Sequence, residues 1–340
     1  MSQTFATQKK ELIPGKAARQ IFGLIKDEMK LVETEFERQA RSNIQVIDYL
    51  GDYLRSSGGK RVRPALVILA NYVSGGRGDS DNVIRLATVM EMLHTATLVH
   101  DDIIDNADLR RNRTTINARF GNHAAVLMGD WLYMSAFETS LRERSLEILD
   151  ILTRLTRKMT EGELIQLTTI GKIDLSEEEY YDILERKTAY LFSGCSEIGA
   201  ILGGTSPERQ RAMRDYGMNL GIAFQLADDL LDFTSDAASL GKAAGADLLE
   251  GKMTLPIIKL IQAQPSIKSL IEEVMISGEY SDEARDDIAG ELERHNILPQ
   301  VREIAVGYAR DARKNLELFP QTEYRDALDE IPGFVIDRNS

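Results

Sequence analysis

The sequence predicts an all-α fold, a bundle of long helices around a central cavity. Apolar residues recur at the three- and four-residue spacing of a helix, as in Ile151, Leu155 and Met159. Only one proline lies between Ala65 and Leu255, and proline is the residue that interrupts helices most strongly. Aromatic residues make up only 6% of the chain, and it has no strings of β-branched residues bounded by turns, which are typical of strands.

The length of the chain allows a large buried core. Its 340 residues contain no long linker rich in proline or serine and no repeat period. Hydrophobic residues make up 43% of the chain and charged residues 28%, which is typical of a globular protein. We therefore expect a single domain over residues 1–340, with 1–20 as a flexible N-terminal segment.

Short clusters of glycine, serine and aspartate predict where helices begin and end. One helix is predicted to begin near Pro64, between the breaks at 56–59 and 74–78. The next is predicted to begin at 79–81, where aspartate and serine can cap it. A run of acids after a capping residue predicts another helix start at 174–179. Further connections are predicted at 121–122, 171–172, 203–207 and 241–251.

Charge and cysteine content exclude several classes of protein. The chain has 41 Lys and Arg against 54 Asp and Glu, a net charge of −13, which argues against a nucleic-acid partner. The single cysteine, Cys195, excludes an intramolecular disulfide and a four-cysteine zinc site. Because there is no secretory signal and no apolar run long enough to span a membrane, we expect a cytoplasmic protein without a membrane span.

The most informative feature is a group of three aspartates that occurs twice. The two aspartate clusters are Asp101, Asp102 and Asp105, and Asp228, Asp229 and Asp232. On a helix, the first and last members of each cluster share a face. Oxygen ligands without cysteine favour a hard cation, Mg²⁺ with Mn²⁺ as a substitute, and Mg²⁺ prefers a few carboxylates together with substrate phosphates. Either cluster alone could be a solvated charge run, but two clusters among apolar residues predict a diphosphate site.

Basic residues accompany the aspartate clusters. Lys60, Arg61 and Arg63 lie in a glycine-rich turn before a predicted helix, and Arg110, Arg111 and Arg113 follow the first cluster. Arginine and lysine suit phosphate oxygens, although ordinary surface basicity is the alternative for each stretch. His94 lies seven residues before Asp101 and therefore on the same helical face. The two alternatives for His94 are a substrate contact and a structural role.

Six motifs in order resemble the trans-isoprenyl diphosphate synthases, the head-to-tail polyprenyl synthetases. They are GGKRVRP, HTATLVHDDIID followed by LRRNR, GDWLY, the Lys187-Thr188 pair, FQLADDLLD and GKAAGADLLEGKMTLP. The resemblance runs from about Gly58 to the C-terminus. It implies the all-α isoprenoid synthase-like fold and a homodimer. It also implies a prenyltransferase that condenses isopentenyl diphosphate head-to-tail onto an allylic diphosphate and releases pyrophosphate.

The resemblance also implies a role for each matching residue. It assigns the isopentenyl diphosphate site to Lys60, Arg63, His94 and Arg111. It assigns the allylic diphosphate site to Arg110, Lys187, Thr188, Gln225 and Lys242. It assigns the metal ions to Asp101, Asp102, Asp105, Asp228, Asp229 and Asp232. It makes Asp101, Asp102, Asp105, Asp228 and Lys187 the catalytic residues, because they favour breakage of the allylic carbon–oxygen bond.

The residues before the first cluster predict the length of the product. In short-chain relatives a bulky aromatic residue four or five positions before the first aspartate blocks growth, whereas this chain has Thr97 and Ala96 there. Leu93 and Met92 lie one turn deeper and also lack a ring. With these four residues as the floor of the hydrocarbon tunnel, we expect a long-chain synthase. Its product is expected near octaprenyl diphosphate, for quinone side chains.

Two alternatives within the resemblance remain open. In a short-chain farnesyl or geranylgeranyl diphosphate synthase, another helix would supply the plug. In a non-catalytic subunit of a heteromeric synthase, one aspartate cluster would be lost, and both are present here. A terpene cyclase is disfavoured because it needs no second diphosphate cradle of the GGKRVRP type. Any contact with the membrane is expected to be peripheral.

Overall fold

The computed structural model describes residues 15–56, 61–110, 113–234 and 245–336. Helices dominate it, which confirms the all-α prediction. Its first half contains α1 (Gly15–Leu24), α2 (Lys26–Ala40), α3 (Gln45–Ser56), α4 (Val62–Val73), α5 (Asp81–Ile104), α6 (Ile116–Phe120), α7 (Asn122–Ser140) and α8 (Leu146–Thr169).

The second half continues the helical pattern. It contains α9 (Glu177–Leu184), a π-helical turn (Glu185–Ala189), α10 (Tyr190–Leu202), α11 (Pro207–Thr234), α12 (Ala246–Leu249), α13 (Leu255–Ala263), α14 (Lys268–Ser277), α15 (Asp282–Arg294), α16 (Ile297–Asn315) and α17 (Glu323–Ile336). Short 3₁₀ turns lie at Leu141–Glu143, Pro265–Ile267 and Leu316–Leu318. None of the described helices is both long enough and apolar enough to cross a membrane.

Most of the predicted helix boundaries agree with the structure. Helix α9 begins after Ser176, whose hydroxyl accepts from the Glu179 backbone N–H at 3.2 Å. The Glu179 carboxylate accepts in return from the Ser176 backbone N–H at 2.9 Å, which completes a capping box. The connections predicted at 121–122, 171–172 and 203–207 all fall at or beside helix ends.

A short antiparallel hairpin after α5 was not predicted. Strand β1 (Leu109–Arg110) pairs with β2 (Arg113–Thr114), with Arg110 opposite Arg113. Helix α5 ends just before it, and Asn106 there adopts a left-handed φ of 49°, which asparagine tolerates better than most residues. Arg110 and Arg113 therefore lie on paired strands rather than on further helical turns.

Helix α5 runs through the core and carries the first aspartate cluster at its end. It packs against α4, α7 and α2, and most of its length from Val83 to Leu93 is buried on every side. Helix α10 packs between α4 and α11, and α11 packs in turn against α16. Helix α11 contributes to both hydrophobic clusters of the core and carries the second aspartate cluster near its C-terminal end.

Two glycines let α10 and α11 approach closely. A Cβ atom on Gly221 would lie 2.6 Å from the Cα atom of Ala189, and one on Gly217 would lie 2.7 Å from that of Ser193. Neither space can hold a methyl group, so glycine is needed at both positions. The close approach brings Thr188, just before α10, within hydrogen-bond distance of Gln225 on α11.

Arg61 ties the start of α4 to two other helices. It precedes α4 with a left-handed φ of 50°, an uncommon conformation for a residue with a side chain. Its guanidinium donates to Glu33 on α2 at 2.5 Å and to Glu91 on α5 at 2.8 Å. The ring of Phe36 lies 5.4 Å below it. Arg61 and Glu91 are largely buried, with side chains 14% and 5% exposed, so they form an internal ion cluster.

Candidate functional site

A cavity of about 280 Å³ lies beside the first aspartate cluster. We call it the central cavity. Asp101, His94 and Thr97 line it from α5, and Arg63 from α4. These three α5 positions share a face because they are separated by three, four and seven residues. Lys187, Thr188, Met159 and Leu191 line the opposite side. The central cavity therefore joins a carboxylate, cationic groups and an apolar wall.

Two side chains of α8 hold Lys187 in place. Its ammonium group donates to Gln166 at 2.6 Å and pairs with Glu163 at 2.8 Å. The approach is close because Gly162 lies against the π-helical turn, where a Cβ would come within 2.7 Å of Arg186 Cβ. A π turn commonly marks a functional site, and here it contains both Lys187 and Thr188.

Asp101 is the first-cluster aspartate that faces the central cavity. Burial raises its pKa to about 6, against the opposing effect of the nearby Lys187 ammonium group. Glu163 and Asp105 raise it further because they are like charges. The site therefore carries an excess of negative charge close to Asp101, which a bound cation would relieve.

Asp102 faces the interior instead. It is only 6% exposed, and its carboxylate accepts from Arg110 Nε at 2.6 Å. Burial raises its pKa, and the Arg110 guanidinium opposes that shift. The carbonyl of Asp102 accepts from the Asn117 side chain at 3.1 Å. Asp102 thus joins the end of α5 to the hairpin and to α6.

Asp229 has the equivalent position in the second cluster. It is 3% exposed, and its two carboxylate oxygens accept from Tyr180 Oη at 2.5 Å and from Gln225 Nε2 at 3.0 Å. Gln225 accepts in turn from the Thr188 hydroxyl at 3.0 Å. Burial raises the pKa of Asp229 to about 8, although both donors favour the charged form. A chain of hydrogen bonds therefore joins α9, α11 and the π turn.

Replacing Tyr180 by phenylalanine is expected to lower the free energy of unfolding by about 1–3 kcal/mol, because a buried acceptor on Asp229 loses its donor. The measurement is urea or thermal unfolding. Tyr181→Phe is the matched control, since Tyr181 is the next residue on α9 and its ring packs against Tyr308. Equal stability of the two variants would contradict this account of the Tyr180 hydroxyl.

A second cavity of about 150 Å³ adjoins the second aspartate cluster. Lys187 and Thr188 line it as well as the central cavity. Asp247 and Lys252 also line it, although neither was predicted from the sequence to have a role. Burial raises the pKa of Asp247 to about 6, and Asp232 raises it further. Both residues lie within the motif GKAAGADLLEGKMTLP, which is the sequence feature that could have indicated their role.

Lys252 connects the two parts of the site. Its ammonium group lies 3.3 Å from Asp105 in the first cluster and 2.8 Å from Glu250. Asp232, the last member of the second cluster, accepts from the backbone N–H groups of Ala246 and Asp247 at 3.1 and 3.2 Å. The segment that begins with α12 is therefore bonded to both aspartate clusters.

Three of the predicted substrate contacts, Lys60, Arg111 and Lys242, lie outside the described residues. Arg63 lies at the central cavity, with its guanidinium 5.1 Å from the ring centre of Phe192. Asp228 is exposed on α11, one position before the buried Asp229. Asp101 and Asp228 are thus the more accessible members of the two adjacent pairs.

The four predicted tunnel-floor residues differ in their position relative to the central cavity. Thr97 lines it, whereas Ala96, Leu93 and Met92 are completely buried and are not among its lining residues. Thr97 lies four residues before Asp101 and shares its face, while Ala96 is about 140° from that face, because each residue turns the helix by about 100°. The role of these residues as the floor of the hydrocarbon tunnel stays a prediction.

The donor set fits Mg²⁺ that is bound together with a phosphate. Among the described ranges, no three carboxylate, histidine or cysteine side chains converge closely enough to hold a metal ion by themselves. Mg²⁺ commonly keeps several waters and takes one or two carboxylates together with substrate phosphates. Four of the six aspartates, Asp101, Asp105, Asp228 and Asp232, are partly or fully exposed. Asp232 already accepts from two backbone N–H groups, so the other three are the oxygen donors that best suit this mode.

The chain is similar to known proteins over most of its length. Residues 44–291 match the polyprenyl synthetase family. The octaprenyl diphosphate synthase of Haemophilus influenzae is 38% identical over 313 residues, which cover 92% of this chain and 94% of that protein.

Two crystal structures match nearly the whole chain. A polyprenyl synthase from Caulobacter crescentus CB15, complexed with calcium and isoprenyl diphosphate, has a TM-score of 0.88 and 35% identity over 96% of this chain and 100% of that one. A decaprenyl diphosphate synthase from Rhodobacter capsulatus has a TM-score of 0.89 and 31% identity over 95% and 99%. The chain belongs to the polyprenyl synthetase family, as its six motifs predicted.

Proposed function

We propose that this prenyltransferase is a long-chain all-trans-polyprenyl diphosphate synthase. It condenses isopentenyl diphosphate onto an allylic primer, farnesyl or geranylgeranyl diphosphate, to a product near octaprenyl diphosphate for quinone side chains. The observation that carries the proposal is the lining of the central cavity. Asp101, Lys187 and Arg63 line the same space as Thr97 and Leu191. Diphosphate-binding groups and an apolar wall thus share one cavity.

The cationic side chains would act on the departing diphosphate. As the allylic carbon–oxygen bond breaks, negative charge grows on the pyrophosphate, and preorganised cations stabilise it. Glu163 and Gln166 already hold Lys187 at the cavity, and Asp102 holds Arg110. Both side chains are therefore already ordered before the reaction begins. Thr188, Gln225 and Lys252 lie around the adjoining second cavity, and Lys242 is proposed to act with them.

The apolar wall would protect the carbocation. Water would capture an allylic cation, so its carbon chain must lie against groups such as Met159 and Leu191. The double bond of isopentenyl diphosphate then forms the new carbon–carbon bond, and a proton passes to the released pyrophosphate. Arg63 and His94, with Lys60 and Arg111, are proposed to hold the diphosphate of isopentenyl diphosphate at the other side of the cavity.

Magnesium is the proposed cofactor, with Mn²⁺ as a substitute. Asp101, Asp105 and Asp228 would bind it, while Asp102, Asp229 and Asp232 would orient the surrounding segments through their own hydrogen bonds. When bound, the cation would neutralise charge on the allylic diphosphate and so favour its departure. The calcium and isoprenyl diphosphate in the Caulobacter crescentus relative support a divalent cation at a diphosphate.

We also propose a homodimer, supported by large apolar side chains on the outer surface of α7. Leu127 and Met134 are 68% and 64% exposed and lie on one face of the helix, because they are seven residues apart. A contact with a second copy would remove them from water. A cytoplasmic location and a peripheral membrane contact remain predictions from the sequence.

The test of the function is a product assay. The purified protein is incubated with farnesyl diphosphate, labelled isopentenyl diphosphate and Mg²⁺, and the dephosphorylated products are separated by chain length. We expect a series that ends near eight isoprene units and disappears with excess EDTA. A stop at four units would favour the short-chain alternative. No elongation would favour the non-catalytic subunit and contradict the proposal.

A further inference from the structure

The chain that follows the second aspartate cluster is held at both of its ends. We call residues 245–252 the α12 segment. At its start, the backbone N–H of Gly245 donates to the carbonyl of Asp232 at 2.8 Å, and the Asp232 carboxylate accepts from the next two backbone N–H groups. Near its end, the carbonyl of Gly251 accepts from the Gly171 backbone N–H, just after α8, at 2.9 Å.

A tyrosine that lines neither cavity binds the first residue of this segment. Tyr280 lies between α14 and α15, and its hydroxyl donates to the carbonyl of Gly245 at 3.1 Å. Gly245 has a left-handed φ of 76°, and a Cβ atom on it would overlap with the Tyr280 hydroxyl oxygen. The backbone conformation and the close approach therefore both require glycine at this position.

The Tyr280 side chain is well placed to donate at all times. Burial, together with the nearby Asp232 carboxylate, raises its pKa to about 12, so the hydroxyl keeps its proton at physiological pH. The guanidinium of Arg285 on α15 lies 5.7 Å from the centre of its ring. The ring is thus supported from α15 while its hydroxyl reaches the α12 segment.

The α12 segment carries side chains that belong to the site. Asp247 and Lys252 line the second cavity, and the Lys252 ammonium group lies 3.3 Å from Asp105 of the first cluster. A displacement of Gly245 would move these side chains, and with them the backbone donors to Asp232. The position of Gly245 therefore sets the geometry on one side of the second cavity.

We propose that Tyr280 is a positioning residue for the second aspartate cluster, which it holds in place through Gly245 and the α12 segment. The proposal rests on the proposed function, in which this cluster binds Mg²⁺ together with the allylic diphosphate. Loss of the hydroxyl should weaken the allylic site and spare the isopentenyl site, since Arg63 and His94 lie on α4 and α5. The fold should be little affected, because the Gly245 carbonyl also accepts from the Leu248 backbone N–H at 3.2 Å.

The test compares the kinetics of Tyr280→Phe with those of the unmodified protein. We expect the KM for farnesyl diphosphate and the Mg²⁺ concentration at half-maximal rate to rise about fivefold, the equivalent of one neutral hydrogen bond. The KM for isopentenyl diphosphate and the melting temperature should stay nearly unchanged. Tyr308→Phe is the matched control, because the Tyr308 ring packs against Tyr181 and its hydroxyl has no hydrogen-bond partner among the described residues.

A second substitution tests the contact itself. Gly245→Ala places a methyl group against the Tyr280 hydroxyl, so it should impair the enzyme more than Tyr280→Phe does. Since Tyr280→Phe removes the oxygen that this methyl group would meet, the double variant should be less impaired than the two single effects combined would predict.

The remaining outcomes would count against the proposal. An equal rise in the KM values of both substrates, or a lower kcat with unchanged KM values, would indicate a general structural role and overturn it. Unchanged kinetics of Tyr280→Phe, or strictly additive effects with Gly245→Ala, would overturn it as well. No elongation by the unmodified protein would contradict the proposed function itself, and this proposal with it.

Discussion

Replacing Asp101 or Asp228 by alanine is expected to slow chain elongation by at least about a hundred- to a thousandfold, the usual effect of removing one group that stabilises transition-state charge. The expectation follows from their positions, since Asp101 lines the central cavity and Asp228 is exposed, whereas their neighbours Asp102 and Asp229 are buried. The measurement is the initial rate of incorporation of labelled isopentenyl diphosphate at saturating Mg²⁺.

Asp108→Ala is the matched control for this experiment. Asp108 is an exposed aspartate shortly after the first cluster, and its substitution should leave the rate nearly unchanged. Circular dichroism would establish that the variants remain folded. A near-normal rate for Asp101→Ala or Asp228→Ala in a folded protein would contradict the proposed metal site.

Replacing Arg61 by methionine is expected to lower the free energy of unfolding by about 3–5 kcal/mol, because it leaves the buried carboxylate of Glu91 without its partner. Glu91 is 4% exposed, and one of its oxygens has no hydrogen bond even in the intact protein. The penalty should be visible as a lower midpoint in urea or thermal unfolding.

A double variant distinguishes the lost ion pair from simple loss of packing. Glu91→Gln removes the buried charge, so Arg61→Met combined with Glu91→Gln should recover part of the stability lost in Arg61→Met alone. Glu33, with its side chain 43% exposed, provides the control, since Glu33→Gln should cost much less. Strictly additive effects of Arg61→Met and Glu91→Gln would contradict a coupled buried pair.

Local sequence patterns predicted the features that depend on neighbouring residues. The capping box of Ser176 and Glu179 spans only three residues, and helical period correctly placed His94 on the same face of α5 as Asp101. The same period puts Ala96 about 140° from Asp101. The role of Ala96, Leu93 and Met92 as the tunnel floor therefore stays a prediction from the sequence.

Contacts between residues far apart in the sequence could not be predicted from such local patterns. Tyr180 lies 49 residues before Asp229, and Lys252 lies 147 residues after Asp105. No pattern within either segment indicates its partner, because the pairs form only when the helices pack. For the same reason the sequence treated the six aspartates alike, although the structure buries Asp102 and Asp229 and leaves Asp228 exposed.

The π-helical turn at Glu185–Ala189 makes chain length, and not only residue identity, a determinant of this site. A π turn is equivalent to one extra residue inserted in a continuous α-helix. Deleting one residue there should restore a regular α-helix and leave α9 and α10 in nearly their present phase, so that Tyr180 still faces Asp229. The side chains of the turn itself, Lys187 and Thr188, should instead lose their positions at the two cavities. The extra residue therefore serves to place these two side chains and not the helices on either side.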